Sequence, residues 1–419
     1  MAFTPRSVAA PAAGDTIADV SIVGGGTVGL VTALAVRHAD PNASVVLIDA
    51  RPPGPYKDER ASAIAAAVRR MLTRLGAWDA IEGEAEPIRD MIVTDSRLRD
   101  TVRPVFLTFG GDVEPGEPFA HMVPNAVMLD ALAGAAERAG VRTIAPATVD
   151  DFTVDGAVAT LHFTGGDTLR TRLLVAADGV RSRLRGLAGI GVVRSDYNQS
   201  AIVTTVAHER PHEGRAVEHF LPHGPFAILP LTGNRSSLVW TERRAEAERL
   251  IALEDFTFET ELERRFGREL GAISLAGPRH AYPLGISLAR AFVAPRFALV
   301  GDAAHGIHPI AGQGLNMGFR DAAALAEVLV DARRLGLDPG ALDILKRYES
   351  WRRFDTVEMG FTTDVLNRLF RTDIGLVRQV RDIGLGLVDR LPPLKKHFIR
   401  EAAGLGGADI PRLMRGEAI

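Results

Sequence analysis

Cysteine is absent from all 419 residues of the chain. Its absence excludes a disulfide scaffold, thiolate-bound zinc, iron–sulfur clusters and a cysteine nucleophile. A strong charge of one sign is also missing, because the formal net charge is −3, whereas a dedicated nucleic-acid-binding protein is expected to be strongly basic. No run reaches the roughly 18 uncharged apolar residues that a membrane-spanning helix requires. These absences favour a cytoplasmic globular protein that binds no nucleic acid.

The first ordered part of the sequence has the pattern of an α/β protein. Residues 1–16 are rich in Ala and Pro with one Arg and no compact apolar core, which predicts a disordered leader and not a secretory signal. Apolar patterning then predicts a strand at 19–23, a helix at 29–39 and a strand at 44–49. This order is a βαβ unit, and it predicts a parallel sheet.

Later segments divide the chain into parts. Residues 64–75 and 127–139 have helical spacing, whereas 143–149, 157–163 and 168–176 are strand-like. Alternating residues dominate 200–240, which predicts an inserted antiparallel sheet. The predicted division is a cofactor domain at 17–95, 120–190 and 285–345, a substrate domain at 96–119 and 191–284, and a C-terminal helical region at 346–419.

The first motif is the run from Gly24 to Gly29, GGGTVG, which contains G-x-G-x-x-G between a predicted strand and a predicted helix. In such motifs the first glycine allows the tight turn and the second lets the backbone approach a pyrophosphate. The third, Gly29, lets helix and strand pack closely. Asp49 follows twenty residues later, where an acid binds ribose hydroxyls. A plain glycine loop is the alternative, and this context disfavours it, but the motif does not separate FAD from NAD.

Two later motifs favour FAD. Residues 173–185 read LLVAADGVRSRLR, a strand leading into Asp178-Gly179, and residues 297–321 read FALVGDAAHGIHPIAGQGLNMGFRD, a strand leading into Asp302 and a glycine-rich helix entry. A carboxylate in a turn can hold the ribityl hydroxyls of a flavin. A helix N-terminus can face the pyrimidine ring, where negative charge develops on reduction.

These three motifs resemble the class A flavoprotein monooxygenases, the family of para-hydroxybenzoate hydroxylase, and most closely its ubiquinone-biosynthesis hydroxylases. The run HPIAGQGLNMGFRD at 308–321 matches the signature of that subfamily without a break, and the likeness covers about residues 17–416. The resemblance implies an α/β fold: a Rossmann-like FAD-binding domain, an inserted antiparallel-sheet substrate domain and C-terminal helices.

The resemblance also assigns site residues. Those it places around FAD are Gly24, Gly26, Thr27, Val28, Gly29, Asp49, Arg60, Asn125, Val149, Asp178, Gly179, Asp302, Gly312, Gly314, Leu315 and Asn316. The ribose acid of the family is more often Glu, one methylene longer than Asp49. Pro309 either shapes the pocket beside the flavin or only fixes its loop. His305 is a candidate proton relay, and the alternative is that it caps or fills the loop. His305 and His308 are not expected to bind a metal, because the sequence shows no third ligand near them.

The implied activity is FAD-dependent hydroxylation of the aromatic ring of a polyprenylphenol in ubiquinone biosynthesis. In the family, O2 is captured as a flavin C4a-hydroperoxide, whose distal oxygen goes to the ring. Electrons come from NAD(P)H directly or from a separate reductase. Two alternatives remain: a hydroxylase of a small soluble aromatic, and a non-catalytic flavoprotein that scaffolds a biosynthetic complex. The motifs are shared by members that act at ring positions C1, C5 and C6.

Several other side chains have two readings each. Arg181, Arg183 and Arg185 are candidates for the phosphates of NADPH or are simply solvated. Strand spacing allows four large residues to line the substrate pocket, although ordinary core positions are favoured for them: Phe220, Phe226, Leu229 and Trp240.

The C-terminal part of the chain is basic. Residues 346–400 contain 12 Lys and Arg against 7 Asp and Glu, with leucines interleaved among the arginines. This pattern is typical either of helices packed on the cofactor domain or of a surface that faces a membrane or other ubiquinone-biosynthesis proteins. Packed helices are the ordinary expectation. The bilayer substrate that the resemblance implies gives support to the second reading, and with it to a peripheral position on the inner face of the membrane.

Overall fold

The computed structural model describes residues 17–56, 58–95, 105–221, 223–306, 313–355, 399–407 and 409–419. The predicted leader at 1–16 lies outside these ranges. Residues 307–312, which include Pro309 and Gly312, also lie outside them. So do residues 356–398, which make up most of the basic segment at 346–400.

The elements below are numbered in chain order. The strands are β1 (Ala18–Val23), β2 (Val45–Ile48), β3 (Ala61–Ala65), β4 (Glu86–Ile88), β5 (Asp90–Asp95), β6 (Val105–Gly110), β7 (Asp112–Glu114), β8 (Glu117–Pro118), β9 (Ala120–Pro124), β10 (Arg142–Ile144), β11 (Val149–Asp155), β12 (Val158–Phe163), β13 (Thr168–Ala176), β14 (Val192–His208), β15 (Arg215–Leu221), β16 (Gly224–Leu231), β17 (Arg235–Arg243), β18 (Ile273–Leu275), β19 (His280–Ala289), β20 (Val293–Ala294), β21 (Phe297–Leu299) and β22 (His305–Gly306). The helices are α1 (Thr27–Ala39), α2 (Ala66–Arg74), α3 (Asn125–Arg138), α4 (Arg183–Leu187), α5 (Arg244–Ile251), α6 (Asp255–Phe266), α7 (Gln313–Arg334) and α8 (342–355).

The first sheet is the parallel sheet that the βαβ pattern predicts. Its order is β10-β2-β1-β13-β12-β11, and β21 pairs with the second half of β13. The strands β10, β2, β1, β13 and β21 run parallel, whereas β11, β12 and β13 form an antiparallel meander. Val20 and Ile22 in β1 are buried, as expected for a strand covered on both faces. The carboxyl ends of β1, β13 and β21 therefore meet at one edge.

Local predictions and observed elements agree except at two places. The helix predicted at 64–75 begins at Ala66, because Ile64 lies in β3; it ends at Arg74, just before the left-handed Gly76 (φ +68°). The single strand predicted at 143–149 is two strands, since β10 ends at Ile144 and β11 begins at Val149. Pro146 lies between them and has no N–H to donate to a ladder.

The second sheet contains the predicted antiparallel insertion. Its order is β22-β19-β14-β17-β16-β15-β5-β6, with β18 on β14. All of its pairings are antiparallel except that of β15 with β5. The strand β5, at 90–95, thus pairs here, although the sequence placed it in the cofactor domain. Helices α5 and α6 cover the outer face of the sheet, where Phe226 and Trp240 are core residues.

A small sheet, β3-β9-β4, connects the two large ones, because β9 and β4 contact β16 while β3 contacts α7. After α7 the chain returns through α8, in which the Tyr348 hydroxyl donates to the Leu299 carbonyl (2.7 Å). The segment Arg412–Arg415 then packs on α2 and α7. The α/β fold with an inserted antiparallel sheet is therefore confirmed.

Candidate active site

The glycine motif forms a tight turn between β1 and α1. Gly24 has φ +115°, and a Cβ there would lie 2.3 Å from the Ala177 carbonyl oxygen; a Cβ at Gly29 would lie 1.8 Å from the Gly24 oxygen. A Cβ at Gly26 would instead meet no atom within 4 Å. Gly26 is also the N-cap of α1 and supplies no side chain to its free amides. Thr27 and Val28 occupy the first turn. The loop therefore leaves an open, positively polarised cradle for a phosphate.

Asp49 follows β2 directly and packs against this loop. Its carboxylate accepts hydrogen bonds from Arg51, with the closest contact at 2.7 Å, and Arg51 also donates to the Gly25 carbonyl (2.9 Å). The hydrogen bond to Asp49 raises the pKa of Arg51 despite partial burial. A carboxylate has about four acceptor positions, so Asp49 can hold Arg51 and ribose hydroxyls together. The sequence did not indicate this role of Arg51.

Arg60 and Asn125 meet on a second acid, Asp58. Arg60 donates to both oxygens of Asp58 (2.7 and 2.8 Å), and the Asn125 amide donates to it at 3.1 Å. Burial would raise the pKa of Asp58, but the hydrogen bonds from Arg60 and Asn125 outweigh it and lower the pKa. The Asn125 oxygen accepts from Ser62 (2.7 Å). This network fixes the entry of β3 against the start of α3.

Asp178 lies in the turn that follows β13. One of its oxygens accepts the backbone N–H groups of Arg183 and Leu184 at the start of α4. The other is buried and has no hydrogen-bond partner among the described residues. Gly179 continues the turn with φ +81°, and Val149 is buried at the start of β11. An acceptor oriented this way suits a hydroxyl-bearing ligand.

The arginines after this turn do not act together. Arg185 is buried and donates to the carbonyls of Ala303 (2.7 Å) and Val180 (3.1 Å). Its side chain therefore holds the fold and is not available to NADPH. Arg183 is exposed and pairs with Asp150 at 3.2 Å.

The turn after β21 contains Asp302, and Asp321 of α7 holds this turn by hydrogen bonding. One Asp321 oxygen accepts the Gly301 N–H (2.9 Å) and contacts His305 Nε2 (2.5 Å), while the other accepts from Arg352 Nε of α8 (2.8 Å). His305, Asp321 and Arg352 are all 0% exposed. Burial would raise the pKa of Asp321, but the charges of His305 and Arg352 and their hydrogen bonds lower it.

Asp302 lies in the same turn, and its side chain is exposed. Desolvation by the surrounding protein raises its pKa, against the opposing effects of His305 and Arg60. His305 Nδ1 is buried without a partner in the described part of the chain. The other ring nitrogen contacts Asp321 (2.5 Å), and both readings of His305, proton relay or filling of the loop, stay predictions. Within the described residues no group of three metal-ligating side chains is present.

The N-terminus of α7 is tied to the small sheet. The Asn316 amide donates to the Ala63 carbonyl (2.9 Å), and its oxygen accepts from the Ala65 N–H (3.0 Å). Gly314 and Leu315 precede it in the first turn, which holds no acidic residue. A Cβ at Gly318 would lie 2.6 Å from Val28, so α7 and α1 approach closely. The helix end therefore presents amides at the carboxyl edge of the first sheet.

The three sequence motifs thus converge on one groove at the carboxyl ends of β1, β13 and β21. The residues present fit FAD: an uncapped helix end with open space at Gly26 suits its pyrophosphate, Asp49 its ribose, and Asp178 and Asp302 its hydroxyls. The sequence did not reveal Asp321 and Arg352 as partners, because they are 31 residues apart; it also missed Asp58, whose partners are the nearby Arg60 and the distant Asn125.

Comparisons with known proteins agree with this geometry. The model of the FAD-binding domain family matches residues 17–354. The chain is 48% identical to ubiquinone hydroxylase UbiL of Rhodospirillum rubrum, over 98% of this chain and 96% of that protein. It is 35% identical to 3-demethoxyubiquinol 3-hydroxylase of Escherichia coli, over 92% and 98%. It is 31% identical to the mitochondrial ubiquinone biosynthesis monooxygenase COQ6 of Rattus norvegicus, over 93% and 91%.

Among solved structures, p-nitrophenol 4-monooxygenase PnpA from Pseudomonas putida superimposes with a TM-score of 0.77 over 94% of this chain and 99% of that one. The two sequences are 20% identical, so this similarity supports the fold alone. The glycine cradle, the two acid-bearing turns and the sequence matches agree. The chain belongs to the family of FAD-binding aromatic hydroxylases, in the branch that contains the ubiquinone hydroxylases.

Proposed function

We propose that the protein is an FAD-dependent monooxygenase that hydroxylates the aromatic ring of a polyprenylphenol on the way to ubiquinone. The observation that carries the proposal is the convergence of Gly26, Asp49, Asp178 and Asp302 on one groove that ends at the N-terminus of α7. The names of the three relatives support the class of substrate, since all of them refer to ubiquinone or demethoxyubiquinol.

The chain's own residues bind and orient. The amides of α1 would hold the pyrophosphate of FAD, Asp49 its ribose, and Asp302 its ribityl chain, while the first turn of α7 would face the ring. When bound and reduced, FAD activates O2 and supplies one oxygen atom to the ring of the substrate. The second sheet covers this end of the groove. Its apolar inner residues exclude water and accept a lipophilic tail.

A groove of about 780 Å³ beside the FAD site is our candidate for the nicotinamide reductant. Arg51, Arg60 and Arg235 line it together with the rings of Tyr56 and Tyr282. Arginines suit phosphates and aromatic rings suit stacking against a nicotinamide or adenine. Asp58 and Glu59 also line the groove, and Arg51 and Arg60 are paired with Asp49 and Asp58. Arg235 is therefore the residue that we expect to meet a phosphate of NAD(P)H as the direct donor.

The absorption spectrum before and after anaerobic addition of NADPH tests this function. We expect flavin bands near ~370 and ~450 nm that NADPH bleaches and air restores. We expect 2-geranylphenol to stimulate NADPH-dependent O2 consumption and to gain one oxygen. Flavin without substrate-dependent O2 consumption would favour the scaffold alternative, and turnover of only small soluble phenols would favour the other.

We further propose that the protein works at the inner membrane surface, where a polyprenylphenol resides and where other ubiquinone-biosynthesis proteins would meet it. No helix among the described residues is long and apolar enough to cross a bilayer. The basic segment at 346–400, with leucines among its arginines, supports a peripheral contact through its composition.

A further inference from the structure

The two faces of the second sheet differ in what covers them. On β15, Val217 and Leu221 belong to the outer core under α5 and α6. The alternate residues point the other way, because successive side chains of a strand lie on opposite faces. Ala216 and, on β16, Leu231 belong to the main core of the cofactor domain. The inner face of the sheet is thus the face turned toward the FAD domain.

Glu218 lies on this inner face. It is in register with Val93 of β5 and Ala227 of β16, and Ala227 is in register with Val239 of β17. Its row of the sheet is therefore apolar on both sides. Glu218 is 5% exposed. A carboxyl group in such a row contributes nothing to packing that an apolar residue would not supply better.

Glu218 differs from the other buried acids. The described residues include three buried acids, Glu218, Glu242 and Asp321. Glu242 accepts from Trp240 (3.1 Å) and pairs with Arg265 (3.3 Å), and Asp321 pairs with Arg352. No hydrogen bond or ion pair to Glu218 is found within the described part of the chain. An acid left without a structural partner marks a functional site.

The position of Glu218 connects it to the ring end of the FAD groove. The neighbouring strand β16 contacts β4 and β9 of the small sheet, and β3 of that sheet holds Asn316 at the start of α7. The inner face of β16, and of β15 beside it, therefore lies toward the small sheet, whose strand β3 is hydrogen-bonded to the start of α7. A substrate ring between the two would meet Glu218 on the side away from FAD.

Burial alone raises the pKa of Glu218 to about 7. The titratable groups on the strands packed against this face are Glu86 of β4 and His121 of β9, and neither contributes to the shift. Burial raises the pKa of Glu86 against the opposing charges of His212 and Arg89. Burial and the charge of Arg69 lower the pKa of His121, against the opposing charge of Glu117. A carboxyl with this pKa can both take and return a proton near neutral pH.

We propose that Glu218 is the acid–base residue that binds the phenolic hydroxyl of the substrate and takes its proton. This role rests on the proposed function. The O–H bond breaks, the proton passes to the Glu218 carboxylate, and the electron pair stays on the phenolate oxygen. The phenolate raises the electron density at the ring carbon that is hydroxylated. When that carbon loses its own hydrogen to solvent as a proton and the ring regains aromaticity, the oxygen takes a proton back from Glu218.

Glu218→Gln tests this role with two probes, 2-geranylphenol and a ring-fluorinated 2-geranylphenol whose hydroxyl is already ionised at about pH 8. We expect the variant to lose about 100-fold in kcat/KM with the first probe and to stay within about threefold of the parent protein with the second. Its flavin should still be bleached by NADPH. In the parent protein kcat/KM for the first probe should rise as pH passes 7, and this rise should vanish in the variant.

Glu242→Gln is the matched control, a buried acid on the outer face of the same sheet. A purely structural effect would lower turnover of both probes equally. We expect this pattern for Glu242→Gln. Equal losses for Glu218→Gln, or full activity with 2-geranylphenol, would overturn the assignment. If the unchanged protein is bleached by NADPH but hydroxylates neither probe, the proposed function itself fails, and the role of Glu218 with it.

Discussion

A methyl group at Gly26 would enter open space, whereas one at Gly29 would strike the Gly24 carbonyl. We therefore expect Gly26→Ala to fold normally and to lose FAD affinity by at least about tenfold, because the methyl occupies the space of a pyrophosphate. Gly29→Ala should impair folding itself. Thermal unfolding and flavin titration of the two variants separate the effects. Unchanged FAD affinity in Gly26→Ala would place the cofactor elsewhere.

Glu218 also predicts a pH-dependent change in stability. Its carboxyl has an ordinary pKa of 4.5 and a folded pKa of about 7, so between these values the folded state holds a proton that the unfolded state has lost. Stability therefore falls as pH rises through this window. Glu218→Gln should be about 3 kcal/mol more stable than the parent protein at pH 8 and nearly equal below pH 4.5. Chemical denaturation at both pH values measures this, and equal stability at pH 8 would contradict it.

At the scale of elements, the turn of Asp302 depends on helices that come later in the chain. Asp321 of α7 holds the Gly301 N–H, His305 and Arg352 of α8 together. We expect Asp321→Asn to destabilise the protein by about 3 kcal/mol, because the buried Arg352 and His305 both lose the charge of the carboxylate between them, although Arg352 keeps its ion pair with Asp355. It should also weaken FAD binding.

Asp331→Asn is the control for this change. Asp331 lies on the same helix, is 48% exposed and pairs with Arg412, so the loss should be at most about 1 kcal/mol. Similar melting temperatures for the two variants would show that the buried cluster does not hold the turn.

The groove lined by Arg235 predicts the behaviour of the reductant. We expect Arg235→Glu to raise KM for NADPH at least about fivefold, since an exposed cation facing a phosphate contributes about 1 kcal/mol or more. Arg249→Glu on α5 is the control, because Arg249 pairs within its helix with Glu246 and lies outside the groove. Steady-state kinetics at constant salt would decide, and equal KM values would remove the groove from the pathway of the reductant.

At the scale of the whole molecule, the basic segment beyond α8 predicts membrane attachment. Reversing Arg368, Arg371, Arg378 and Arg381 to Glu should weaken co-sedimentation with anionic phospholipid vesicles, and added salt should do the same to the unchanged protein. Vesicles of neutral lipid are the control. Binding to neither vesicle under any condition would end this part of the proposal.

The first sheet was largely predictable because its signals are local. Strands, helix and glycine turn lie within residues 18–49, and β13 has the predicted bounds. The partners of the site were not predictable in this way. Alternation along β15 shows two faces but not which one meets FAD, and the parallel pairing of β15 with β5 joins strands more than 100 residues apart. His305 was singled out, but its partner Asp321 lies 16 residues further along the chain.

The insertion of the second sheet has a consequence for synthesis on the ribosome. The first sheet starts at Ala18 and receives β21 only at Phe297–Leu299, after the strands from β14 to β19 have been made. The inserted sheet can thus pair while the first is still incomplete. The turn of Asp302 also depends on Asp321 and Arg352, which are synthesised later still. Cofactor capture therefore belongs to the last stage of translation, and a nascent chain stalled before α7 should emerge without bound flavin.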